Sequence, residues 1–156
     1  MMPLNENLLS AWLQLSTSVI NTRVVSQLPY NESLICHVLY HHQLDGKNQP
    51  LTATDLCNET KMAKSLMNRT LNQLENQGLI TRTRSKEDKR QVLVTFNLDK
   101  ADVYLEQHQE ILNIVDAIIK EIGAEKTHET ISLFTQVSNI ANSILNEKSN
   151  TLSAAK

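Results

Sequence analysis

The chain has 156 residues, 40% hydrophobic and 21% charged, with only three glycines, three prolines and a formal net charge of -2. That length suits one domain with a sizeable core, and the composition excludes both a disordered chain and a turn-dense β protein. No apolar run reaches the ~20 residues of a membrane span. The N-terminus lacks a basic secretory region, and Cys36 and Cys57 show neither disulfide-framework nor metal spacing, so the sequence predicts a soluble, cytoplasmic, mainly helical protein without cofactor or metal.

In chain order, Leu8, Trp12, Leu15 and Val19 recur at 4-3-4 spacing and predict a first helix over residues 5–27, stopped by Pro29. Asn31 is the expected cap of a second helix reaching Leu44, with Leu34, Ile35, Val38 and Leu39 inward. Turn residues Asp45 to Pro50 close it. Leu51 to Thr60 then read as a short helix, and Ala63 to Gln77 as another that ends at Gly78. The latter turns Leu66, Met67, Thr70, Leu71 and Leu74 inward and Lys64, Ser65, Asn68, Arg69, Asn72 and Gln73 outward. Leu79–Arg84 and Gln91–Leu98 alternate as strands, joined by a tip without glycine. Asn97 or Asp99 is placed to cap a long helix ending at Ile122, with Ile111, Val115, Ile118 and Ile122 on one stripe. Gly123 breaks it. A last helix, about 126–147, carries Ile131, Phe134, Val137, Ala141 and Leu145, and residues 149–156 read as a disordered tail.

Charge is distributed unevenly along these elements. Eight cations against three anions lie between Lys61 and Arg90, a local balance of +5, so the remainder carries -7. Five of the cations fall between Arg82 and Arg90. By itself such a hairpin is also what an edge strand uses to block pairing with other chains. Two short helices followed at once by a basic hairpin are instead the order of a winged helix-turn-helix, in which a helix enters the major groove and the hairpin lays cations along phosphates.

The residues Leu51-Thr52, Asp55-Leu56, Leu71-Asn-Gln-Leu-Glu-Asn-Gln-Gly-Leu-Ile-Thr-Arg82 and Glu87-Asp-Lys-Arg-Gln-Val-Leu-Val94 resemble the MarR-type transcriptional regulators at the spacing of that family, and the flanking helices extend the resemblance over nearly the whole chain. The resemblance implies a single domain over 1–148, mainly α with a small β-hairpin wing. Its winged helix-turn-helix lobe would span about 31–98, and its dimerisation helices 5–27 and 101–147. It implies a homodimeric, sequence-specific regulator of double-stranded DNA, a ligand-responsive repressor on a palindromic operator. Lys64, Ser65, Asn68 and Arg69 would serve as recognition-helix contacts and Arg84, Lys86, Lys89 and Arg90 as wing contacts, with Asp88 as the wing brace. Arg82 near the strand root would serve the fold as much as the DNA. A small aromatic effector would lie near Trp12, His37, His41 and Tyr104.

Ala63 stands where the family usually has a capping serine, leaving Thr60 as the cap or the helix weakly capped. Leu66 faces either a thymine methyl or the core. Two other readings remain at this level. His37 and His41, one turn apart, with Cys36, His42 or His108 nearby, would suit a zinc-responsive regulator, although a hydrogen-bonded His42 on the apolar side is the simpler account. A helical interaction module would use the basic hairpin on an acidic protein or RNA. An enzyme is disfavoured, since no phosphate-cradling glycine loop, nucleophile elbow or HExxH occurs.

Overall fold

The computed structural model describes residues 3–19, 27–46 and 49–154. Its helices are α1 (Leu4–Val19), α2 (Tyr30–Leu44), α3 (Ala53–Thr60), α4 (Lys64–Asn76), α5 (Asp102–Ile122) and α6 (Ala124–Ala154). Strands β1 (Leu51–Thr52), β2 (Ile80–Arg84) and β3 (Val92–Phe96) form an antiparallel sheet in the order β1-β3-β2, and a 3₁₀ turn (Leu98–Lys100) precedes α5. Contacts divide the chain within α5, into Met1–Ile111 and Leu112–Lys156. The expected mainly helical winged fold is present.

In the first unit the periodic apolar residues meet as predicted. Ile35 and Leu39 of α2, Leu56 of α3, Met67, Leu71 and Leu74 of α4, and Ile80, Val94 and Phe96 of the sheet are all buried in one cluster with Ala101 and Tyr104. Removing each large side chain from water stabilises the lobe by about 1.5–3 kcal/mol. Cys36 is buried among them.

Pairing of β2 with β3 sets Ile80 opposite Phe96 and Arg82 opposite Val94, and so puts the alternating apolar side of β3 against the helices. The strand β1 was missed in the sequence, where Leu51 read as the start of a helix. Leu51 instead pairs with Val94 and Thr52 with Leu93 before the chain turns into α3. Two residues are too few for an alternation to register.

Several local expectations are corrected. Asn31 does not cap α2; the helix starts at Tyr30 with Pro29 as its N-cap, whose carbonyl accepts from Ser33 N at 2.9 Å. Proline's fixed φ, here -54°, already suits a helix entry. The first helix is described to Val19, and its expected continuation through residues 20–26 lies outside the described residues. Neither Asn97 nor Asp99 caps α5: Asp99 lies in the 3₁₀ turn, and the Asn97 amide donates to Gly78 O at 2.7 Å while accepting from Thr81 Oγ1 at 2.9 Å. Residues 149–154 are not a disordered tail but continue α6, since neither glycine nor proline interrupts the chain after Gly123.

The second unit and α1 carry stripes with a different fate. Leu8, Trp12 and Leu15 of α1 are exposed. So are Val115, Ile118 and Ile122 of α5 and Ile131, Phe134, Val137 and Leu145 of α6. These are the residues whose spacing predicted the helices, yet the single chain leaves them uncovered.

Candidate nucleic-acid interface

Thr52 and Asp55 start α3 with a reciprocal capping box. Thr52 Oγ1 accepts from Asp55 N at 3.0 Å, and Asp55 Oδ2 accepts from Thr52 N at 2.8 Å. Between α3 and α4 the chain turns at Lys61, which adopts the left-handed conformation at φ 58°. Ala63 is the N-cap of α4 and supplies no side-chain hydrogen bond. Thr60 does not substitute for it, because its hydroxyl donates to Leu56 O and accepts from Met62 N. Of the two alternatives left by the sequence, the weakly capped helix is the one present.

Helix α4 has two chemically distinct sides. Met67, Thr70, Leu71 and Leu74 are buried, while Lys64, Ser65, Asn68, Arg69, Asn72 and Gln73 are exposed. Leu66 is half-buried at the border. The helix ends in a Schellman turn: Leu79 N donates to Leu74 O at 3.0 Å and Gly78 N to Glu75 O at 2.9 Å, with Gly78 at φ 73°. A side chain at Gly78 would be strained by that φ and would also meet the Lys100 side chain at 3.3 Å. The turn delivers the chain into β2 within four residues of the end of α4.

The wing that follows is organised by side chains on its own backbone. Ser85 N donates to Gln91 O at 3.0 Å, and Ser85 Oγ accepts from Glu87 N and Asp88 N. Asp88 Oδ1 accepts from Arg90 N at 3.0 Å, and Asp88 O accepts from Gln91 N at 2.9 Å. Thus the carboxylate holds the tip through a main-chain N–H rather than by pairing with a cationic side chain. Carboxylate and hydroxyl acceptors do here what glycine does in tighter hairpins.

The cations divide into two groups. Arg82 is half-buried and committed to α4: its Nε donates to Glu75 Oε2 at 3.0 Å, and its Nη2 donates to the same oxygen and to Asn72 Oδ1, the latter at 2.7 Å. The guanidinium holds the Glu75 carboxyl below the usual carboxylate range. By contrast, Lys64 and Arg69 on α4 and Arg84, Lys86, Lys89 and Arg90 on the wing are exposed, and among the described residues their side chains form no ion pair. Unpaired, solvated cations retain their full charge for a polyanion.

Of the expected effector residues, His37, His41 and Tyr104 come together, and His108, which the sequence offered only as a neighbour of the histidine pair, joins them. His37 Nδ1 lies 2.9 Å from Tyr104 Oη, the His37 ring centroid is 4.4 Å from His41 and 5.7 Å from His108, and His108 stacks on Tyr104 at 5.4 Å. Burial, followed by the charges of His41 and His108, lowers the pKa of His37 below its ordinary 6.5. Burial pushes the Tyr104 hydroxyl up to about 12. Trp12, more than half exposed on α1, is not part of this ring cluster. His42, read as a core residue, is half-buried and bonds to Gln49 O through Nε2 at 2.8 Å. A cavity of about 190 Å³ between α2 and the sheet, lined by Leu39, His42, Leu51 and Val94, is smaller than the ~300 Å³ at which ligand pockets begin. Among the described residues no group of three or more His, Cys, Asp and Glu side chains could hold a metal ion, and no helix is long and apolar enough to cross a membrane.

An amphipathic helix with a polar outer face, preceded by a capped short helix and followed by a braced basic hairpin, defines a winged helix-turn-helix protein. Residues 27–91 match the model of the MarR family. The match spans less than half of the chain, and the chain carries the same fold as solved transcription regulators. Solved structures with this fold include NadR in complex with 4-hydroxyphenylacetate, 22% identical, covering 88% of this chain and 93% of its own at a TM-score of 0.65. The MepR–DNA complex of S. aureus is 14% identical over 88% and 97% of the two chains, with a TM-score of 0.68. Bordetella bronchiseptica BpsR, whose DNA binding is regulated by 6-hydroxynicotinic acid, is 15% identical over 87% and 99%, with a TM-score of 0.69. At these identities the likeness is one of fold. No curated protein matches the chain by sequence.

Proposed function

We propose that the chain is a sequence-specific, double-stranded DNA-binding transcription regulator that acts as a homodimer in the cytoplasm, a ligand-responsive repressor on a palindromic operator. The observation that carries this reading is the joint presentation of Lys64, Ser65, Asn68 and Arg69 on one side of α4 and of Arg84, Lys86, Lys89 and Arg90 on the wing, with the cations in no ion pair among the described residues. Asn68 and Arg69 have the donor and acceptor geometry to discriminate adenine and guanine, while Lys64 and the wing cations neutralise phosphates. Asp88 acts indirectly, by shaping the backbone that carries Arg90.

Dimer formation is supported by the uncovered apolar stripes of α1, α5 and α6, since soluble monomers rarely expose contiguous patches beyond a few hundred Å². Two recognition helices related by a twofold axis would then meet successive major grooves. The ring cluster of His37, His41, His108 and Tyr104 is the place for a small aromatic effector, a ligand class represented by the 4-hydroxyphenylacetate in complex with NadR. Such an effector acts only by binding one spacing of the reading helices better than the other.

The test is selection of preferred duplexes from a random pool, followed by titration at several salt concentrations. The expected results are a palindromic preference, an apparent mass of two chains, and an affinity that falls steeply with salt. The slope should decrease by roughly one in Arg90→Ala as one phosphate contact is lost. A protein that enriches no duplex and shows no salt dependence contradicts the assignment.

A further inference from the structure

We propose that Asn72 is a further DNA contact on α4, restricted to donating hydrogen bonds because Arg82 holds its amide in one orientation. The inference rests on α4 being the helix that reads DNA. Asn72 is exposed and lies four residues after Asn68, three after Arg69 and seven after Ser65, so these four side chains share one side of the helix. Nothing in the periodicity distinguishes Asn72 from its neighbours. What distinguishes it is the contact of its Oδ1 with Arg82 Nη2 at 2.7 Å.

A guanidinium carries donors and no acceptor. The amide must therefore turn its oxygen toward Arg82, and the Nδ2 group faces the other way. An unrestrained asparagine can donate and accept at once, which is how it pairs with the N6 and N7 edge of adenine. With its oxygen turned toward Arg82, Asn72 presents only N–H on the side away from that contact. Its partner is thus an acceptor without a donor beside it: a phosphate oxygen, or guanine O6 or N7, or thymine O4.

Arg82 is a positioning residue in this arrangement. Its Nε and Nη2 bind Glu75 and its backbone N donates to Glu75 Oε1 at 3.3 Å, so its placement is determined from α4 on both sides of the peptide. The same contacts tie the root of the wing to the last turns of the reading helix. Glu75 offsets the charge of Arg82, so the pair adds little net attraction for phosphate.

The experiment uses the full chain and its selected duplex, with folding of each variant checked by thermal melting. Asn72→Ala should weaken binding about tenfold, the loss of one good hydrogen bond, without changing the salt slope, since no charge is removed. A loss equal for all duplexes assigns the phosphate, and a loss confined to particular base changes assigns a base edge; both support the proposal. Arg82→Gln should cause a similar loss with an unchanged salt slope, and the double variant should be no weaker than either single one. Asn72→Ala with wild-type affinity overturns the proposal. So does an Arg82→Gln slope reduced as in Arg90→Ala, because Arg82 would then touch phosphate itself. If the wild-type chain selects no duplex, the reading of α4 as the DNA helix falls first and this inference with it.

Discussion

Gln107 and Leu28 are joined by a matched pair of hydrogen bonds in which the buried amide of α5 takes the place of a neighbouring strand: Oε1 accepts from Leu28 N at 2.7 Å, and Nε2 donates to Leu28 O at 3.1 Å. Oε1 also accepts from Gln27 N at 3.1 Å. The segment leading into α2 has no helix or sheet to satisfy its backbone, and this side chain does so from 79 residues away. Gln107→Leu would keep the volume and leave these main-chain groups unpaired. At about 1–3 kcal/mol for each of the two buried Leu28 groups left unsatisfied, it should destabilise the fold by at least about 2 kcal/mol. A urea titration with an unchanged midpoint would refute this.

Asp88 should matter through its acceptor oxygen and not through its charge. Asp88→Asn keeps an oxygen for Arg90 N, whereas Asp88→Ala removes it. The alanine variant is expected to lose affinity for the selected duplex several-fold, a change of about 1 kcal/mol, with its melting temperature nearly unchanged because the tip is exposed. The asparagine variant should bind at least as well as wild type. Equal losses in the two would assign the effect to charge instead.

The burial of His37, reinforced by the charges of His41 and His108, makes stability depend on pH. Because the folded state depresses the pKa of His37 below its unfolded 6.5, the folded chain binds fewer protons there than the unfolded one. Stability is therefore complete above about pH 6.5 and declines as pH falls through that value toward the folded pKa. Melting curves between pH 7.5 and 5.5 should show a smaller decline in His37→Gln than in wild type. Parallel declines would mean that His37 is not a source of the dependence.

The two cysteines should react at very different rates. Burial, reinforced by the nearby Glu32 carboxylate, pushes the Cys36 thiol up to about 12, so almost no thiolate is present at neutral pH. Cys57 is only half-buried. A thiol reagent at pH 7.5 should modify one cysteine in the folded chain and two after denaturation, and Cys57→Ser should abolish the first reaction. Prompt modification of Cys36 in the folded protein would contradict its burial.

Much of the fold was legible because the features that specify it act within a turn or two of chain. The inward residues of α2 and α4 repeat at helical spacing, Gly78 supplies the left-handed residue at a helix end, and Val92, Val94 and Phe96 alternate. Where a local rule had competitors, it failed. Asn31 is a better capping side chain than Pro29, but proline's fixed φ decided where α2 begins. Asn97 had a suitable position for a cap, but its amide is used on Gly78 and Thr81.

The sequence by itself determined that a short helix, a polar-faced helix and a basic hairpin follow one another, because periodicity, turn chemistry and charge are local properties of the chain. Only the tertiary structure decided which of those charges are engaged within the fold. The cations between Arg82 and Arg90 look alike in composition, yet Arg82 is engaged by Glu75 and Asn72 while Arg84, Lys86, Lys89 and Arg90 form no ion pair among the described residues. Likewise Gln107 carries no local mark, and its role arises from contacts 79 and 80 residues along the chain. A side chain's donors and acceptors are known from its identity, but which of them remain available depends on the partners that folding brings within 3 Å, and partners distant in sequence leave no period to read.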